Sequence, residues 1–520
     1  MTELPKGWAV ASFSQIGTWM GGGTPSKAVG SFWGGPIPWI SPKDMKTKII
    51  RSTIDGITTD AVGNSAAKLI PAGSVVIVAR SGILAHTLPI AITAIESTLN
   101  QDMKALALSK GIESSFVAWG LRAFEQAILN KCRKGGTTVH SIEMPSLIAF
   151  ELPIPPTNEQ RRIVEKIEAM FERIDKGVES LAVAKTTLGL YRQSLLKSAF
   201  EGRLTAAWRS QNPNKLETPK ALLARIQKER ETHYKSALDN WQAALSEWRA
   251  AGEVGRKPVK PSRPTEFIGE AVFPSGEIAQ IPPAWRWSPM SDVGRTSGGL
   301  TKNQKREALP LKAKYLRVAN VYSNELRLDH ITEIGLTEEE LSKSRLEKGD
   351  LLFVEGNGSL EQIGRVAVWD GSIPDMTHQN HLIRFSTDGL LDSQFAMLFM
   401  ISPVGRNLIK AQASSTSGLH TLSISKIANL PVPICYPAEQ AEITRILDAR
   451  LTAADAMEAE INAALLRAEA LRQSILKQAF AGTLVPQDPN DEPAPTLLAR
   501  IKAERAKAGK TKPRKTAHAG

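Results

Sequence analysis

The chain has 520 residues, which is too long for one hydrophobic core and predicts three or four domains. Hydrophobic residues make up 42% and charged residues 23%, as in soluble globular proteins. The net charge of +12 at pH 7 is compatible with a polyanionic partner but does not prove one. No apolar run approaches the roughly 20 residues that cross a bilayer, and the N-terminus does not resemble a signal peptide. We therefore expect a cytoplasmic protein without membrane contact.

The two cysteines, Cys132 and Cys435, lie far apart and have no histidine neighbours at ligand spacing. This predicts a reducing compartment and argues against a cysteine-based zinc site. His378 and His381 could form another metal pair, but no cysteine or carboxylate cluster completes it. The sequence predicts no metal site.

Residues 1–150 are predicted to form a mainly β domain. Short apolar runs such as 74–79 and 105–108 are separated by clusters of Gly, Pro, Ser and Asn, and 115–130 is the clearest helical pattern. The proline-rich residues 151–156 then lead into a long helix.

The long helix occurs twice in the chain. Residues 159–204 return as 439–484, 280 positions later without a gap, and RQSLLKSAFEGRL matches RQSILKQAFAGTL at nine of thirteen positions. Gly202 and Gly482 fall where each pattern ends, as helix-terminating glycines do. About 45 residues predict a helix on the order of 65 Å long.

Both helices carry apolar residues at alternating spacings of four and three, which predicts a heptad seam. The shared register favours packing of the two helices on each other. A two-fold relation between them would make the pair antiparallel, with the globular domains at opposite ends. The alternative is two ordinary amphipathic helices in separate cores. The predicted seam is Ile163, Ile167, Met170, Ile174, Gly177, Leu181, Ala184, Leu188, Tyr191 and Leu195 in the first helix, and Ile443, Leu447, Arg450, Ala454, Met457, Ile461, Ala464, Ala468, Leu471 and Ile475 in the second.

A helical tail follows each long helix. The motifs at 211–214 and 222–226 return in the same order at 487–490 and 497–501. The first tail continues into a basic, proline-rich linker, and we expect the second to end in a disordered basic segment.

The second globular segment parallels the first at framework positions only, as where Asn100-Gln101-Asp102 matches His378-Gln379-Asn380. The predicted fold class is α+β, with two mainly β domains separated by two long antiparallel coiled-coil helices in a pseudo-two-fold repeat. The predicted parts are a first globular domain (1–150), a central repeat helix (151–204), a helical tail and linker (205–265), a second globular domain (266–430), a C-terminal repeat helix (431–484) and a final helical tail (485–520).

The sequence lacks the motifs of two enzyme classes. An Asn/Asp-Pro-Pro-aromatic segment, which an adenine methyltransferase needs, does not occur, and neither does a P-loop. Gly356-Asn357-Gly358 lacks the third glycine of a dinucleotide site and predicts a β-turn. We predict no catalytic residues.

DNA recognition requires Arg or Lys for phosphate and guanine, Asn or Gln for adenine, and small residues where the backbone approaches a groove. For each such loop residue, simple solvation is the competing interpretation. Lys131, Arg133 and Lys134, beside Gly135-Gly136, are the strongest candidates, as a phosphate-binding loop. The candidates are Lys27, Lys43, Asp44, Arg80, Ser81, Lys131, Arg133 and Lys134 in the first domain, and Lys302, Arg306, Asn320, Asn357, Gln379, Asn380 and His420 in the second.

The whole pattern resembles the specificity subunit of type I restriction–modification enzymes. The resemblance rests on two divergent domains alternating with long helices, each introduced by LPxP…EQ and closed by RQSxLKxAFxGxL. It also rests on GGGTPSK at 21–27 followed by FWGGPIPWISPKDM at 32–45. It implies two target recognition domains that each bind half of a split site in double-stranded DNA, with the helices setting the spacer.

The resemblance also implies partner subunits. Two methyltransferase and two restriction subunits would join this chain, carrying S-adenosylmethionine, Mg and ATP, while this chain binds no cofactor. We expect the methyltransferase subunits to dock on the shared helix ends. The predicted interface residues are Arg192, Lys197, Phe200, Arg472, Lys477 and Phe480.

Two other hypotheses remain open. A coiled-coil adaptor joining two protein partners would explain the helices without DNA binding. A fragment of a fused restriction–methylation enzyme is disfavoured by the missing methyltransferase motifs.

Overall fold

The computed structural model of the chain describes residues 4–135, 139–255, 257–261, 263, 271–273, 280–387, 389–416 and 418–510. The chain forms two compact units. Unit 1 comprises Met1–Val183 and Ile461–Gly520, and unit 2 comprises Ala184–Glu460. Each long helix therefore begins in one unit and ends in the other.

The first globular segment alternates short strands with short helices. Its strands are β1 (Ala9–Ser12), β2 (Gly17–Gly21), β3 (Trp33–Ile40), β4 (Ile49–Ile50), β5 (Asp55–Ile57), β6 (Val75–Val78), β7 (Arg80–Ser81), β8 (Ile90–Thr93), β9 (Thr98–Leu99), β10 (Met103–Leu108), β11 (Arg133–Lys134), β12 (His140–Ile142) and β13 (Glu151–Ile154). Its helices are α1 (Phe13–Ile16), α2 (Thr59–Asn64), α3 (Ser114–Ala123), α4 (Glu125–Cys132) and α5 (Met144–Ile148).

The core of unit 1 forms around β6, whose four residues are all buried. A continuous apolar run of this kind suits a central strand covered on both faces. β6 lies in the middle of the sheet β2-β10-β6-β8-β4, and separate small sheets have the orders β5-β3-β9, β11-β12-β7 and β1-β13. The helical pattern predicted at 115–130 is two helices, α3 and α4, separated at Phe124.

The central part of the chain is helical. Its helices are α6 (Thr157–Phe200), α7 (Ala206–Gln211) and α8 (Pro219–Ala250).

The second globular segment repeats the first in topology. Its strands are β14 (Arg286–Pro289), β15 (Gly294–Gly298), β16 (Leu311–Leu316), β17 (Val321–Tyr322), β18 (Glu325–Leu326), β19 (Thr332–Leu336), β20 (Leu351–Val354), β21 (Gly356–Asn357), β22 (Val366–Val368), β23 (Thr377–His378), β24 (Leu382–Thr387), β25 (Ser414–Thr416), β26 (Leu419–Thr421) and β27 (Pro431–Ile434). These strands form sheets with the orders β15-β24-β20-β22, β19-β16-β23, β21-β26-β25 and β14-β27, with a further pair β17-β18. Its helices are α9 (Glu338–Ser344), α10 (Ser393–Ile401), α11 (Pro403–Gln412) and α12 (Ile424–Ala428), followed by α13 (Pro437–Phe480) and α14 (Ala494–Lys510).

This repeat confirms the predicted α+β architecture of two β-containing domains and two long helices. β20 is fully buried like β6, and β14 pairs with β27 as β1 pairs with β13. The predicted β-turn at Gly356-Asn357 is wrong, because these residues form β21 and pair with β26.

The predicted helix ends are confirmed. α6 and α13 stop at Phe200 and Phe480, and Gly202 and Gly482 follow with φ of 73° and 75°. A side chain is strained in this left-handed conformation. A Cβ atom would also lie 2.1 Å from the Pro282 ring at Gly202 and 2.3 Å from the Pro5 ring at Gly482.

The seam prediction is correct in its seven-residue spacing and at Ile163 and Ile443, which are buried, but one of its two positions is wrong in later heptads. Ile167 and Leu195 in α6 and Leu447 and Ile475 in α13 are buried as predicted. Gly177, Tyr191, Arg450, Met457 and Leu471 are exposed, and the inward position lies one residue later in the chain. The residues found there include Val178, Arg192, Leu451, Glu458, Leu465 and Arg472.

Charged side chains occupy part of this shifted seam and join the helices within each unit. In unit 2 the Arg192 guanidinium donates to Glu458 at 2.5 Å and to Asp455 at 2.7 Å. In unit 1 Arg472 pairs with Asp175. The apolar stem of an arginine can pack in the seam while its charged group reaches an acid. The pattern of apolar residues alone therefore placed the seam one residue too early.

The helices are antiparallel within each unit, and unit 2 shows this most directly. Arg192 contacts Asp455, whereas Thr205, later in the chain, donates its hydroxyl hydrogen to the Glu439 carboxylate at 2.7 Å. The partner residue number falls as the chain advances, as it must in an antiparallel pair. The Trp285 indole donates to the same carboxylate at 2.9 Å. This contact ties the start of α13 to the start of the second globular segment.

Unit 1 contains the matching contact. The Trp8 indole donates to Glu159 at 3.1 Å, and Gln487 donates to the same carboxylate at 3.2 Å. Burial raises the pKa of Glu159, and hydrogen bonds from Gln487 and Trp8 oppose that shift. In the part of the chain that the structure describes, no helix is long and apolar enough to cross a membrane.

Candidate nucleic-acid interface

An open cleft of about 620 Å³ lies beside the small sheet β5-β3-β9 of unit 1. Lys27 and Lys43 line it and are exposed. Trp33 and Trp39 form part of the lining and pack edge to face, with ring centroids 5.1 Å apart. Asn100 and Asp55 also line the cleft, which therefore combines two cations, aromatic rings, an amide and one carboxylate. Such a surface can contact both phosphate and bases.

Close backbone approach fixes one side of this cleft. Gly23 N donates to Leu99 O at 2.8 Å, and a Cβ on Gly22 would lie 1.9 Å from Asn100 O. A Cβ on Gly23 would lie 2.3 Å from Ala66 O, so only glycine fits at positions 22 and 23. The Asn100 side chain accepts from Asp102 N at 2.7 Å and thereby shapes the turn at 100–102.

The same turn continues to Arg80. The backbone amides of Ala79 and Arg80 both donate to Asp102 O, at 2.8 and 3.1 Å. The Arg80 side chain is 67% exposed and lies 4.0 Å from the Asp102 carboxylate. A surface ion pair at that distance contributes little, so the guanidinium can engage DNA.

Arg80, Ser81 and Lys134 come together in the sheet β11-β12-β7. β12 is the middle strand, with Ser141 opposite both Lys134 and Arg80. Lys134 is exposed, while the Ser81 hydroxyl accepts from Ile83 N and begins the following turn. Gly136 and Thr137, which belong to the predicted phosphate loop, lie outside the described residues.

Arg133 is also exposed, but its guanidinium forms hydrogen bonds within the chain. Its guanidinium donates to the carbonyls of Leu84 and Ala85, at 3.1 and 2.9 Å, and so ties β11 to the turn at 82–85. The Lys131 ammonium lies 5.9 Å from the centre of the Phe150 ring. The phosphate-loop prediction therefore retains Lys131 and Lys134, whereas the contacts of Arg133 favour a structural role.

Asp44 also has structural contacts. Its carboxylate accepts from the backbone amides of Ser41 and Ile54, at 2.8 and 2.9 Å, and holds the loop that carries Lys43.

Unit 2 repeats this arrangement with different side chains. Asn357 in β21 lies opposite His420 in β26, the middle strand of β21-β26-β25. The turn at 378–380 takes the place of 100–102, because a Cβ on Gly299 would lie 2.1 Å from His378 O. Gln379 and Asn380 are half-buried in this turn. Lys302, three residues after Gly299 in the chain, is exposed.

Arg306 and Asn320 have internal partners that favour a role in the fold. Arg306 donates two parallel hydrogen bonds to Glu340, at 3.0 and 2.9 Å, and only 15% of its side chain is exposed. Asn320 is buried, and its amide donates to Arg327 O at 2.8 Å. A buried amide cannot reach a base edge in this conformation.

The two histidines of the hypothetical metal pair have separate surroundings. His378 is buried and its Nδ1 lies 3.2 Å from Ser344 O, while His381 Nδ1 lies 2.8 Å from Glu355. Burial lowers the pKa of His378 to about 3, and the nearby charge of Arg384 adds to that shift. Among the described residues, no cluster of His, Cys, Asp or Glu could hold a metal ion.

The predicted partner-interface residues fall into two classes. Phe200 and Phe480 are buried in the cores of units 2 and 1, and Arg192 and Arg472 form the ion pairs of the seam. Lys197 and Lys477 are exposed. Docking of another subunit on these helix ends stays a prediction.

Sequence reasoning missed Trp33, Trp39 and Ser141 as interface candidates. A signal for Ser141 exists, because His140-Ser141-Ile142 matches His420-Thr421-Leu422 at the helix repeat's offset of 280. A signal for the two tryptophans also exists, because both lie in FWGGPIPWISPKDM at 32–45, which carries part of the family resemblance.

Comparison with known proteins agrees with this geometry. The profile of the type I restriction modification DNA specificity domain matches residues 5–180 and 282–467. The chain is 26% identical to the EcoKI specificity subunit of Escherichia coli, over 98% of this chain and 97% of that protein. It is 43% identical to the EcoR124I/EcoR124II specificity subunit over 171 residues, which are 32% of this chain and 42% of that protein.

Two solved structures share the fold. A chain from a type I R-M system aligns with a TM-score of 0.61 at 16% identity, over 93% of this chain and all of that chain. The HsdS subunit from Thermoanaerobacter tengcongensis aligns with a TM-score of 0.50 at 16% identity, over 93% and 98%. Because the family profile matches both globular segments and the start of both long helices, the chain belongs to the DNA specificity subunits of type I restriction–modification enzymes, which are non-catalytic targeting subunits.

Proposed function

We propose that each globular segment recognises one half of a bipartite, asymmetric DNA site. The observation that carries this proposal is the topological repeat. The same small three-stranded sheet and the same glycine-supported turn occur in both segments, but their side chains differ. A framework that both segments share, with different surface side chains, suits the recognition of two different DNA sequences.

The long helices serve as the spacer in this proposal. They are continuous over Thr157–Phe200 and Pro437–Phe480, and ion pairs hold their register within each unit. The repeated helix ends, with exposed Lys197 and Lys477, would dock two methyltransferase subunits, and two restriction subunits would complete the assembly. S-adenosylmethionine, Mg and ATP would bind to those partners.

An exchange of the first reader tests the proposal. Residues 1–154 are replaced by the corresponding segment of a relative with a different site, with the cut after β13 because that strand pairs with β1. Methylated adenines are then mapped in cells that carry the partner subunits. We expect one half of the split motif to change while the gap and the other half stay the same. A motif unchanged in both halves would refute the assignment, and failure to retain DNA would favour the adaptor hypothesis.

A further inference from the structure

One row of three residues crosses the small sheet of the first domain. Arg80, Ser141 and Lys134 are directly opposite one another on adjacent strands. Directly opposite residues place their side chains on the same face of a sheet. Arg80 and Lys134 are exposed and Ser141 is half-buried. We call these three residues the cross-sheet row of the first domain.

The second domain has an equivalent row. Gly356 lies opposite Thr421, and Thr421 lies opposite Ser414. The strand orders β7-β12-β11 and β21-β26-β25 correspond, and His140 and His420 precede the central residue in both. Arg80, Ser141 and Lys134 therefore correspond to Gly356, Thr421 and Ser414.

The two rows differ in charge. The first carries two cations at its outer positions. In the second these positions are glycine and serine, and the Lys426 ammonium donates to the Ser414 hydroxyl. The two domains therefore share the strand arrangement of the row but differ in the side chains that it offers to a nucleic acid.

We infer that the cross-sheet row contacts base edges and that its residues set part of each half-site. This inference rests on the proposed function and deepens it. The outer strands of a three-stranded sheet lie about 10 Å apart, which is within the major-groove width of about 12 Å. In that groove arginine and lysine recognise the O6 and N7 acceptors of guanine, and threonine contacts the thymine methyl group. The first half-site therefore includes a guanine bound by Arg80, and the second row excludes that contact.

The alternative role of the row is phosphate binding, and the two roles have different consequences. A phosphate contact lowers the affinity for all sequences equally and reduces the salt dependence. A base contact changes which base is accepted at one position. Arg80→Ala in the full chain separates them when it is assembled with the methyltransferase subunit and its methylated sites are mapped.

We expect Arg80→Ala to relax one guanine position of the first half-site by roughly 10- to 100-fold, leaving the second half-site and the gap unchanged. Lys110→Ala is the matched control, because Lys110 is an exposed cation of the same domain outside the row. Retention of the guanine requirement, with a uniform loss of affinity and a smaller salt slope, would overturn the inference.

A reciprocal variant keeps the test independent of any damage to unit 1. A Cβ at Gly356 would meet its nearest atom, His420 O, at 3.7 Å, so Gly356→Arg fits the sheet. We expect this variant to impose a new preference for guanine in the second half-site. If the exchange of residues 1–154 alters a half-site but neither row variant does, the proposed function stands and the cross-sheet row is refuted.

Discussion

At the scale of single residues, burial and pairing separate cations that look alike in sequence. Arg80 and Lys134 are exposed, whereas Arg133 and Arg306 direct their guanidinium groups to carbonyls or to a carboxylate of the same chain. A charge-assisted pair of this kind is worth more than an exposed one. The net charge of the chain therefore overestimates the number of cations that are available to bind DNA.

Arg306→Ala should destabilise unit 2 rather than alter DNA specificity. The change removes two hydrogen bonds to Glu340 at a mostly buried site, so we expect a loss of about 2 kcal/mol in the free energy of unfolding. Thermal unfolding measures the loss, and site mapping below the transition should return the original motif. Lys302→Ala, at an exposed position, serves as the control for the unfolding measurement. An altered second half-site with unchanged stability would contradict the structural role.

His378 should make unit 2 sensitive to acid. Its pKa is lowered to about 3 by burial, whereas an unfolded histidine titrates near 6.5. As the pH falls below about 6.5, only the unfolded state gains a proton, so stability decreases by about 1.4 kcal/mol per pH unit until the folded pKa is reached.

His378→Asn tests this dependence by unfolding at pH 7.0 and at lower pH values. We expect the variant to lose stability less steeply between about pH 6.5 and 4.5, by roughly 2 to 3 kcal/mol in total. His330→Asn is the control, since the His330 side chain is 88% exposed. Parallel pH curves for His378→Asn and the wild type would show that another group is responsible.

At the scale of elements, the ends of the long helices are part of the globular cores. The centroid of the Phe480 ring lies 5.0 Å from that of Phe116 and 5.7 Å from that of Phe124. The centroid of the Phe200 ring lies 5.3 Å from that of Phe395 and 5.2 Å from that of Phe399. Packing in the core of each unit therefore explains the repeated sequence at the helix ends, independently of any partner that binds there.

Phe480→Ala and Phe200→Ala should each destabilise the unit that contains the ring. Removal of a buried phenyl group costs about 3 to 5 kcal/mol, because the cavity does not close completely. Hydrogen exchange on the full chain should localise the loss to unit 1 for Phe480 and to unit 2 for Phe200. Leu471→Ala, at a position 49% exposed, should change stability by about 0.5 kcal/mol or less. A loss below about 1 kcal/mol for either phenylalanine would contradict the packing argument.

At the scale of the whole molecule, both long helices run from one unit into the other. Under the proposed function, their length sets the distance between the half-sites. Seven residues correspond to nearly two helical turns, so after their removal the remaining residues keep approximately the same orientation around the helix axis.

Deletion of residues 177–183 together with 462–468 should shorten the gap between the half-sites. Seven residues at 1.5 Å each amount to about 10 Å, or about three base pairs. Mapping of methylated adenines should find both half-sites unchanged with a shorter gap. Deletion in one helix alone is the control and should impair assembly, because the ion pairs at Arg192 and Arg472 cannot both form. An unchanged gap in an active double variant would exclude the helices as the spacer.

The sequence by itself determined the repeat, the order of the elements and the ends of the helices. These features depend on local signals, such as the glycines at 202 and 482 and the seven-residue spacing, that are read within one stretch of chain. The buried strand at 75–78 was equally evident, because an uninterrupted apolar run suits a central strand.

Only the tertiary structure decided the phase of the seam and the composition of the interface. The one-residue shift to Arg192 and Arg472 depends on acids that lie more than 250 residues away in sequence. Arg80, Ser141 and Lys134 form a row only because three short strands pair in one sheet. Such contacts are set by the packing of the whole chain, which local periodicity cannot specify.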